Sequence, residues 1–509
     1  MQNLKILLIQ EVHQQLKSFK FLVMILIVLL ITPICGFIQV SDFAQRQLAY
    51  NNELRKVDDY LKNVFVYSQL QVPVLIAPNS LSIFSKGIEE KIGNKVIVSP
   101  LKLIDFKTTS QFDNPFLSIF SKIDVVGIIK LLSIFVILLT AGIISSEREE
   151  HTFKMIFVNN VSRFEYFLAK YLAVLISVLI SLILIFFIIS ILVLLEPMIQ
   201  TNISFWLKVL LIFFSSLLYL SIFIGLGLLI SSKFNQSSTS ILIGILLWIS
   251  IVFVYPNTIY TIVHNLSKKT SITKFQSDIN NIENTSIKEI FTKNSKSNID
   301  NSQLNMPLCI NFDKNDPENR ILVNCYIPQL IGITEKSEFE NTENQWKNTF
   351  NELPKSLRAI KNITDEQKRI ALYFNNIATS LNYWIPDIIF EQLTSKTANT
   401  DYGFHEEYIR SDIEIYKSTI NSYIKNKKGF GDQFFTQMPK MSWKDDYSSY
   451  SQDEIKIYSS LEEYPKLNLS DMPTFKYKTQ FKVPIELYIL AFFNIFLFAS
   501  GYFIFKLTK

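Results

Sequence analysis

Six stretches of almost unbroken apolar residues, at 21–38, 125–145, 171–195, 209–230, 238–262 and 487–505, interrupt an otherwise polar chain. Each is close to or longer than the roughly 18 to 20 residues a helix needs to cross about 30 Å of hydrocarbon. Backbone amides and carbonyls cannot stay unpaired in lipid, so every run is predicted to be helical. The first run exceeds the roughly 7 to 15 apolar residues of a cleavable signal. The QVSDFAQRQ that follows it holds no small-x-small cleavage site, so it is read as a retained helix.

The polar segments between the runs divide the chain. The expected organisation is an N-terminus and first helix at 1–40, a first insertion at 41–123 and four helices at 124–262. A second insertion at 263–483 and a last helix with the C-terminus at 484–509 follow. In the first insertion, Leu48, Leu54, Val57 and Leu61 recur at helical spacing. VPVLIAP and NKVIVSPL then read as strands or extended packing segments. The second insertion is rich in Asn, Lys and Glu. Helical patterns near 271–294, 336–352, 364–382 and 402–426 are separated by joints such as DKNDPEN, YWIPD and KKGFGDQ, and 433–482 reads as irregular. The predicted fold class is an α-helical polytopic membrane protein with six transmembrane helices. A small α+β insertion and a larger, mainly α insertion complete it.

Basic residues set the orientation. Lys5, Lys17, Lys20, Arg148, Lys154, Arg163, Lys170, Lys233, Lys506 and Lys509 fall on one side, whereas the short loop 196–208 on the other carries Lys208 alone. The positive-inside rule then puts both termini in the cytosol and both insertions outside the cytoplasm, in a multi-pass protein of a bacterial cytoplasmic (inner) membrane. Composition agrees: 49% of residues are hydrophobic and mean hydropathy is +0.22. The net charge of +5 is largely this orientation signal. With no dense Lys/Arg patch interleaved with aromatics, nucleic acid is not an expected partner.

Between the second and third runs lies the segment SSEREEHTFKMIFVNNVSR. It is polar at first and then amphipathic, with Phe153, Ile156 and Phe157 on one helical face, which suits a short helix lying along the membrane surface. One reading is a connector that anchors two helices. The other is a handle, at 146–165, whose charges are gripped by a soluble partner.

The residues from Ile123 to Ala173 resemble the corresponding part of the ABC type 2 exporter permeases. There a Gly-Glu-Arg-Glu-x-Gly-Thr signature is followed by Pro-x-Ser-Arg and Gly-Lys. Glu147, Arg148, Glu149, Thr152, Ser162, Arg163 and Lys170 match, while His151 replaces the usual Gly and Asn159 and Asn160 stand near the usual Pro. LGLLISSKFNQSSTSILIGILLWISIVFVYP resembles that family's second cytosolic turn, with Trp248 and Pro256. PDIIFEQLTSKTANTDYGFHEEYIRSDIEIYKSTINSYI resembles a subgroup with a large extracytoplasmic insertion before the last helix, with Asp401, His405 and Tyr416 at matching places.

The resemblance implies a permease subunit that pairs with a second permease copy or homologue. A separate dimeric ABC ATPase would grip the connector through Glu147, Arg148, Glu149, Thr152, Phe153, Arg163 and Lys170. It would supply ATP and Mg, no cofactor being expected in this chain. An extracytoplasmic accessory protein is a further expected partner. The rival reading, a non-transporting membrane-anchored sensor or assembly protein, shares the topology but lacks the ATPase.

Enzymatic signatures are thin. A phosphate-cradling loop needs G-x-x-x-x-G-K-[ST], and the nearest imitation, GIEEKIGNK at 87–95, has the wrong spacing. The four His, at 13, 151, 264 and 405, lack metal-ligand spacing; His405, beside Glu406 and Glu407, reads as a solvated helix face. Lys130 and Glu486 sit near the outer ends of their helices. They either snorkel to water or pair with each other as a gate. Ser177, Ser181, Ser215, Ser216 and Ser221 read as helix–helix contacts. Cys309 and Cys325 are candidates for a disulfide if their segment faces an oxidising compartment, and Cys35 is a buried apolar residue.

Overall fold

A computed structural model describes residues 2–62, 64, 67, 70–89, 95–99, 105–107, 123–158, 161–259, 261–262, 310–312, 321–323, 369, 383–427, 472 and 484–507. The helices expected at 271–294 and 336–352, and the pair Cys309 and Cys325, lie outside these residues. So do 364–382 and 433–482, apart from Arg369 and Met472.

Every apolar run lies on a helix. Helix α1 (Gln2–Lys17) precedes α2 (Phe19–Lys62), which carries the first run; α3 (Val125–Thr140) and α4 (Ile143–Glu149) together hold the second. The short α5 (Phe153–Val158) leads into α6 (Arg163–Leu195) and α7 (Ile203–Lys233). Helix α8 (Ser237–Ile249) continues through a π-helical turn at Ser250–Val254. The second insertion supplies α9 (Pro386–Ala398) and α10 (Arg410–Asn426), and α11 (Glu486–Leu507) is last. Six of these segments are long and apolar enough to cross a membrane.

Helix α2 carries its membrane run and the charged stretch after it as one helix of 44 residues. At 1.5 Å per residue it is about 66 Å long, roughly twice the hydrocarbon thickness. Pro33, inside the apolar half, is the kind of breaker that neighbouring helices let a membrane helix tolerate.

Helix α7 is central, packing against α3, α6, α8, α9 and α11. The buried serines allow this closeness because they satisfy themselves. Ser177, Ser181, Ser215 and Ser216 each donate to a carbonyl four residues earlier on their own helix, at 2.7–3.3 Å. Ser221 also meets Asn494 of α11, whose side-chain amide donates to Leu218 O at 2.9 Å. Helix α1, the end of α11 and the connector gather at one end of the bundle, and the described parts of the two insertions lie at the other.

At the insertion end, strands β1 (Val72–Leu75) and β2 (Lys95–Val98) fall where the sequence predicts them. They pair antiparallel with Val72 opposite Val98, and β3 (Asp105–Lys107) adds to β2. The short strands β4 (Ile310–Phe312) and β5 (Ile321–Val323) form a separate antiparallel pair. Leu70, Val72, Val74, Val96 and Val98 share a core with Ile413, Tyr416 and Ile420 of α10, so the two insertions bury apolar surface against each other.

They are also joined by hydrogen bonds. Asn79 donates to Ala398 O, Ile88 N to Thr400 O at 2.9 Å, and Thr400 Oγ1 to Ser85 O at 3.0 Å. Gly87, at φ +52°, lies so close to Thr400 that a side chain there would overlap its carbonyl.

This union positions α9, to which the sequence reading assigned no helix. Pro386 opens the helix, where a missing amide costs nothing, and Asn399 closes it in the left-handed conformation. Ile389, Phe390 and Leu393 are fully buried, and α9 packs on α7, α11 and α3. Phe390 stacks on Tyr219 at 4.3 Å between ring centroids, so α9 lies beside the apolar run 209–230 of α7.

Candidate functional site

The connector begins where the second apolar run ends. Helix α3 stops at Thr140, Ala141 and Gly142 turn, and α4 carries the signature residues from Ile143 to Glu149. Glu150 and His151 close the helix. His151 adopts φ +59°, the left-handed region that glycine occupies freely. A histidine therefore stands in a backbone conformation that only glycine adopts without strain. Thr152 Oγ1 donates to Glu147 O at 3.3 Å across the same turn.

The charges expected to face a partner point mostly into the protein. Glu147 accepts from the Tyr166 hydroxyl and from Lys170, both on α6. Lys170, only 1% exposed, also pairs with Glu11 Oε1 of α1 at 2.6 Å. Arg148 donates to Ser232 O of α7 at 2.8 Å, and its guanidinium lies 5.2 Å from the Phe153 ring centroid. Glu149 Oε2 accepts from Ser237 N at 3.0 Å, placing a carboxylate at the N-terminus of α8, where the helix dipole favours it.

Arg163 donates to Lys506 O at 2.8 Å, capping the far end of α11. Ser162 and Glu165 form the capping box that starts α6. Phe153 and Phe157, on the predicted apolar face of α5, pack edge-on or tilted against Tyr166, and Phe153 also meets Phe505 of α11. Glu150, His151 and Thr152 form the exposed rim.

Glu147, Arg148 and Glu149, expected to offer salt-linked docking, are each engaged by a different helix of the bundle, and Glu149 is also exposed.

The cluster around Lys170 holds two carboxylates against one ammonium. Burial raises the Glu11 carboxyl above its ordinary value, an effect that the charge of Lys170 and its hydrogen bond partly offset. Sequence reasoning missed Glu11, although it is the one acid among residues 1–20. An isolated acid in an otherwise apolar and basic segment was the available signal. Tyr166, Ser231 and Ser232 carried none, being ordinary members of apolar helices.

At the insertion end, the pairing expected between Lys130 and Glu486 is not made. Helix α9 stands between them and supplies a partner to each. Lys130 Nζ lies 3.1 Å from Asp387 Oδ2 and 2.7 Å from Glu391 Oε2. Lys396 Nζ lies 2.6 Å from Glu486 Oε1. Nor does Glu486 snorkel, since it is 0% exposed. Tyr219 donates to Asp387 Oδ1 at 2.9 Å, and Trp248 Nε1 donates to Ser133 Oγ at 2.7 Å. His405, read as part of a solvated face, is buried against Phe404.

No group of three or more His, Cys, Asp or Glu able to hold a metal ion occurs among the described residues. The arrangement binds helices together.

Comparison with curated proteins gives no match. A family model described as ABC-2 family transporter protein matches residues 6–394, which takes in α1 through most of α9 and the whole connector. The signature residues, the apolar helices that bear them and this match agree: the chain belongs to the ABC-2 family of transporter proteins.

Proposed function

We propose that this protein is the permease half of an ATP-driven exporter, moved by a separate ATPase that docks at the connector. Permeases of the ABC-2 family generally work with an ATPase subunit. The observation that carries the reading is the connector's set of attachments. Within residues 147–163, single side chains reach α6, α7, α8 and α11, and through Lys170 also α1. A push on this segment is therefore delivered to most of the bundle at once.

Docking falls to the exposed rim, Glu150, His151 and Thr152, flanked by Arg163. The ionic residues behind it keep the handle stiff. Charges on such a rim contribute orientation and association rate more than affinity. In this reading the connector and both termini are cytosolic, the insertions face outward, and the membrane is the bacterial inner membrane. ATP and Mg are bound by the partner, and two permease copies flank the path of an exported or membrane-extracted substrate.

The test is affinity purification from native membranes in mild detergent. A Walker-type ATPase is expected to accompany the wild-type chain and to be lost from Glu150→Lys, while that variant still reaches the membrane. A wild-type preparation free of any such ATPase would refute the reading. Thiol labelling from outside intact cells should reach a cysteine at Ile415 and spare one at Glu150; the reverse pattern would refute the orientation.

A further inference from the structure

The connector and α9 lie at opposite ends of the bundle, and two routes join them. One runs along α3, which leads directly into α4 and carries Lys130. The other runs along α7. The first is interrupted: α3 ends at Thr140 and the chain turns through Ala141 and Gly142 before α4 begins. The second is continuous, since α7 is one helix from Ile203 to Lys233.

At the interruption, α4 is held by α7. In an unbroken helix the amides of Ile144 and Ser145 would bond to the carbonyls of Thr140 and Ala141. Here both donate to Ser231 Oγ, at 2.9 and 3.1 Å. The next residue of α7, Ser232, offers its carbonyl to Arg148 at 2.8 Å. Two consecutive residues of α7 thus grip the beginning and the end of α4. The fit is close, because a methyl added at Gly227 of α7 would overlap Thr140 Oγ1.

Twelve residues earlier on α7, about 18 Å along the helix, Tyr219 grips α9. Its hydroxyl donates to Asp387 at 2.9 Å and its ring stacks on Phe390 with an interplanar angle of 11°. Between the two grips, Leu220, Ile222, Phe223, Ile224, Leu228 and Ile230 are buried, so this stretch of α7 is packed tightly enough to move as a unit.

We infer that α7 is the member that carries displacement of the connector to α9, and that Ser231 is the residue that positions α4 on it. The inference rests on the reading of the connector as the driven part. The mechanical link itself is a property of this chain and can be tested without an ATPase.

The experiment is hydrogen exchange on the full chain in lipid nanodiscs. Ser231→Ala is expected to raise exchange about tenfold in 143–149, the loss of ordinary hydrogen bonds, and to raise it also in 386–398. Exchange in the middle of α6 and in α10 should not change. Ser231→Thr, which keeps the hydroxyl, should restore both segments. In a Tyr219→Phe background, which keeps the ring but removes its bond to Asp387, Ser231→Ala should loosen α9 less than it does alone.

A second variant covers poor folding of the first: His151→Cys, on the exposed rim, carrying a bulky maleimide. It should also alter exchange in 386–398. A change confined to 143–149, or equal loosening of α6 and α10, would overturn the inference. Failure to find an ATPase would leave these outcomes unaffected and would bear on the proposed function alone.

Discussion

Replacing Lys170 by Met tests whether the ionic cluster behind the connector fastens α1 to the bundle. The ammonium is 1% exposed and sits between Glu11, 7% exposed, and Glu147. Removing one partner from a buried ion pair costs about 3–5 kcal/mol, because the remaining charge is left in a poorly polarisable site. Here two carboxylates are stranded, and sharing a proton between them recovers part of that cost. A loss of about 3 kcal/mol corresponds to roughly a 150-fold rise in the population with α1 released.

Gln15, on α1 itself, is buried, so a cysteine placed there, with the native cysteines replaced, reports release through its labelling rate. Glu11→Gln is the counterpart. It removes the surplus negative charge, leaves Lys170 balanced by Glu147, and should change the rate by less than about threefold.

The pH dependence has a definite sign. Burial raises the Glu11 carboxyl above 4.5, so docked α1 holds that proton more tightly than released α1. Docking is then firmest in acid. It weakens as pH rises from the ordinary carboxylate range through the raised value, and levels off above it. Glu11→Gln should abolish this slope. A Lys170→Met rate within threefold of the parent, or docking that tightens as pH rises, would sink the argument.

Three further substitutions probe other ties. His151→Gly relieves a left-handed β-carbon at φ +59° and should leave thermal stability unchanged or raised by about 1 kcal/mol, whereas a clear loss would mean the imidazole makes an essential contact. Gly227→Ala forces a methyl onto Thr140 Oγ1 and should cost about 1–3 kcal/mol, partly recovered by Thr140→Ala, in the same melting assay. The pair at Glu486 should be asymmetric. Lys396→Met strands a carboxylate that is 0% exposed and should cost about 3 kcal/mol, while Glu486→Gln frees a lysine whose side chain is 40% exposed and should cost under about 1 kcal/mol. Equal costs would show that burial does not control this pair.

Hydrophobic patterning alone determined the six membrane helices, the stalk that continues α2, the strands at 72–75 and 95–98, and the amphipathic α5. These features are local. Whether a residue faces an apolar neighbour repeats with the period of its own element, so a window of a dozen residues is enough to read it.

What the charged residues hold was decided by tertiary structure. Glu147 meets side chains 19 and 23 residues away, Arg148 a carbonyl 84 away, and Lys130 carboxylates 257 and 261 away. No periodicity encodes such a choice. The sequence marked Lys130 and Glu486 as charges needing partners, but a thirteen-residue helix from the second insertion entered between them and satisfied both. The cost of leaving a charge unpaired in an apolar layer is legible from composition. Which group meets that cost depends on how α9 packs against α3, α7 and α11, and that exists only once the chain has folded.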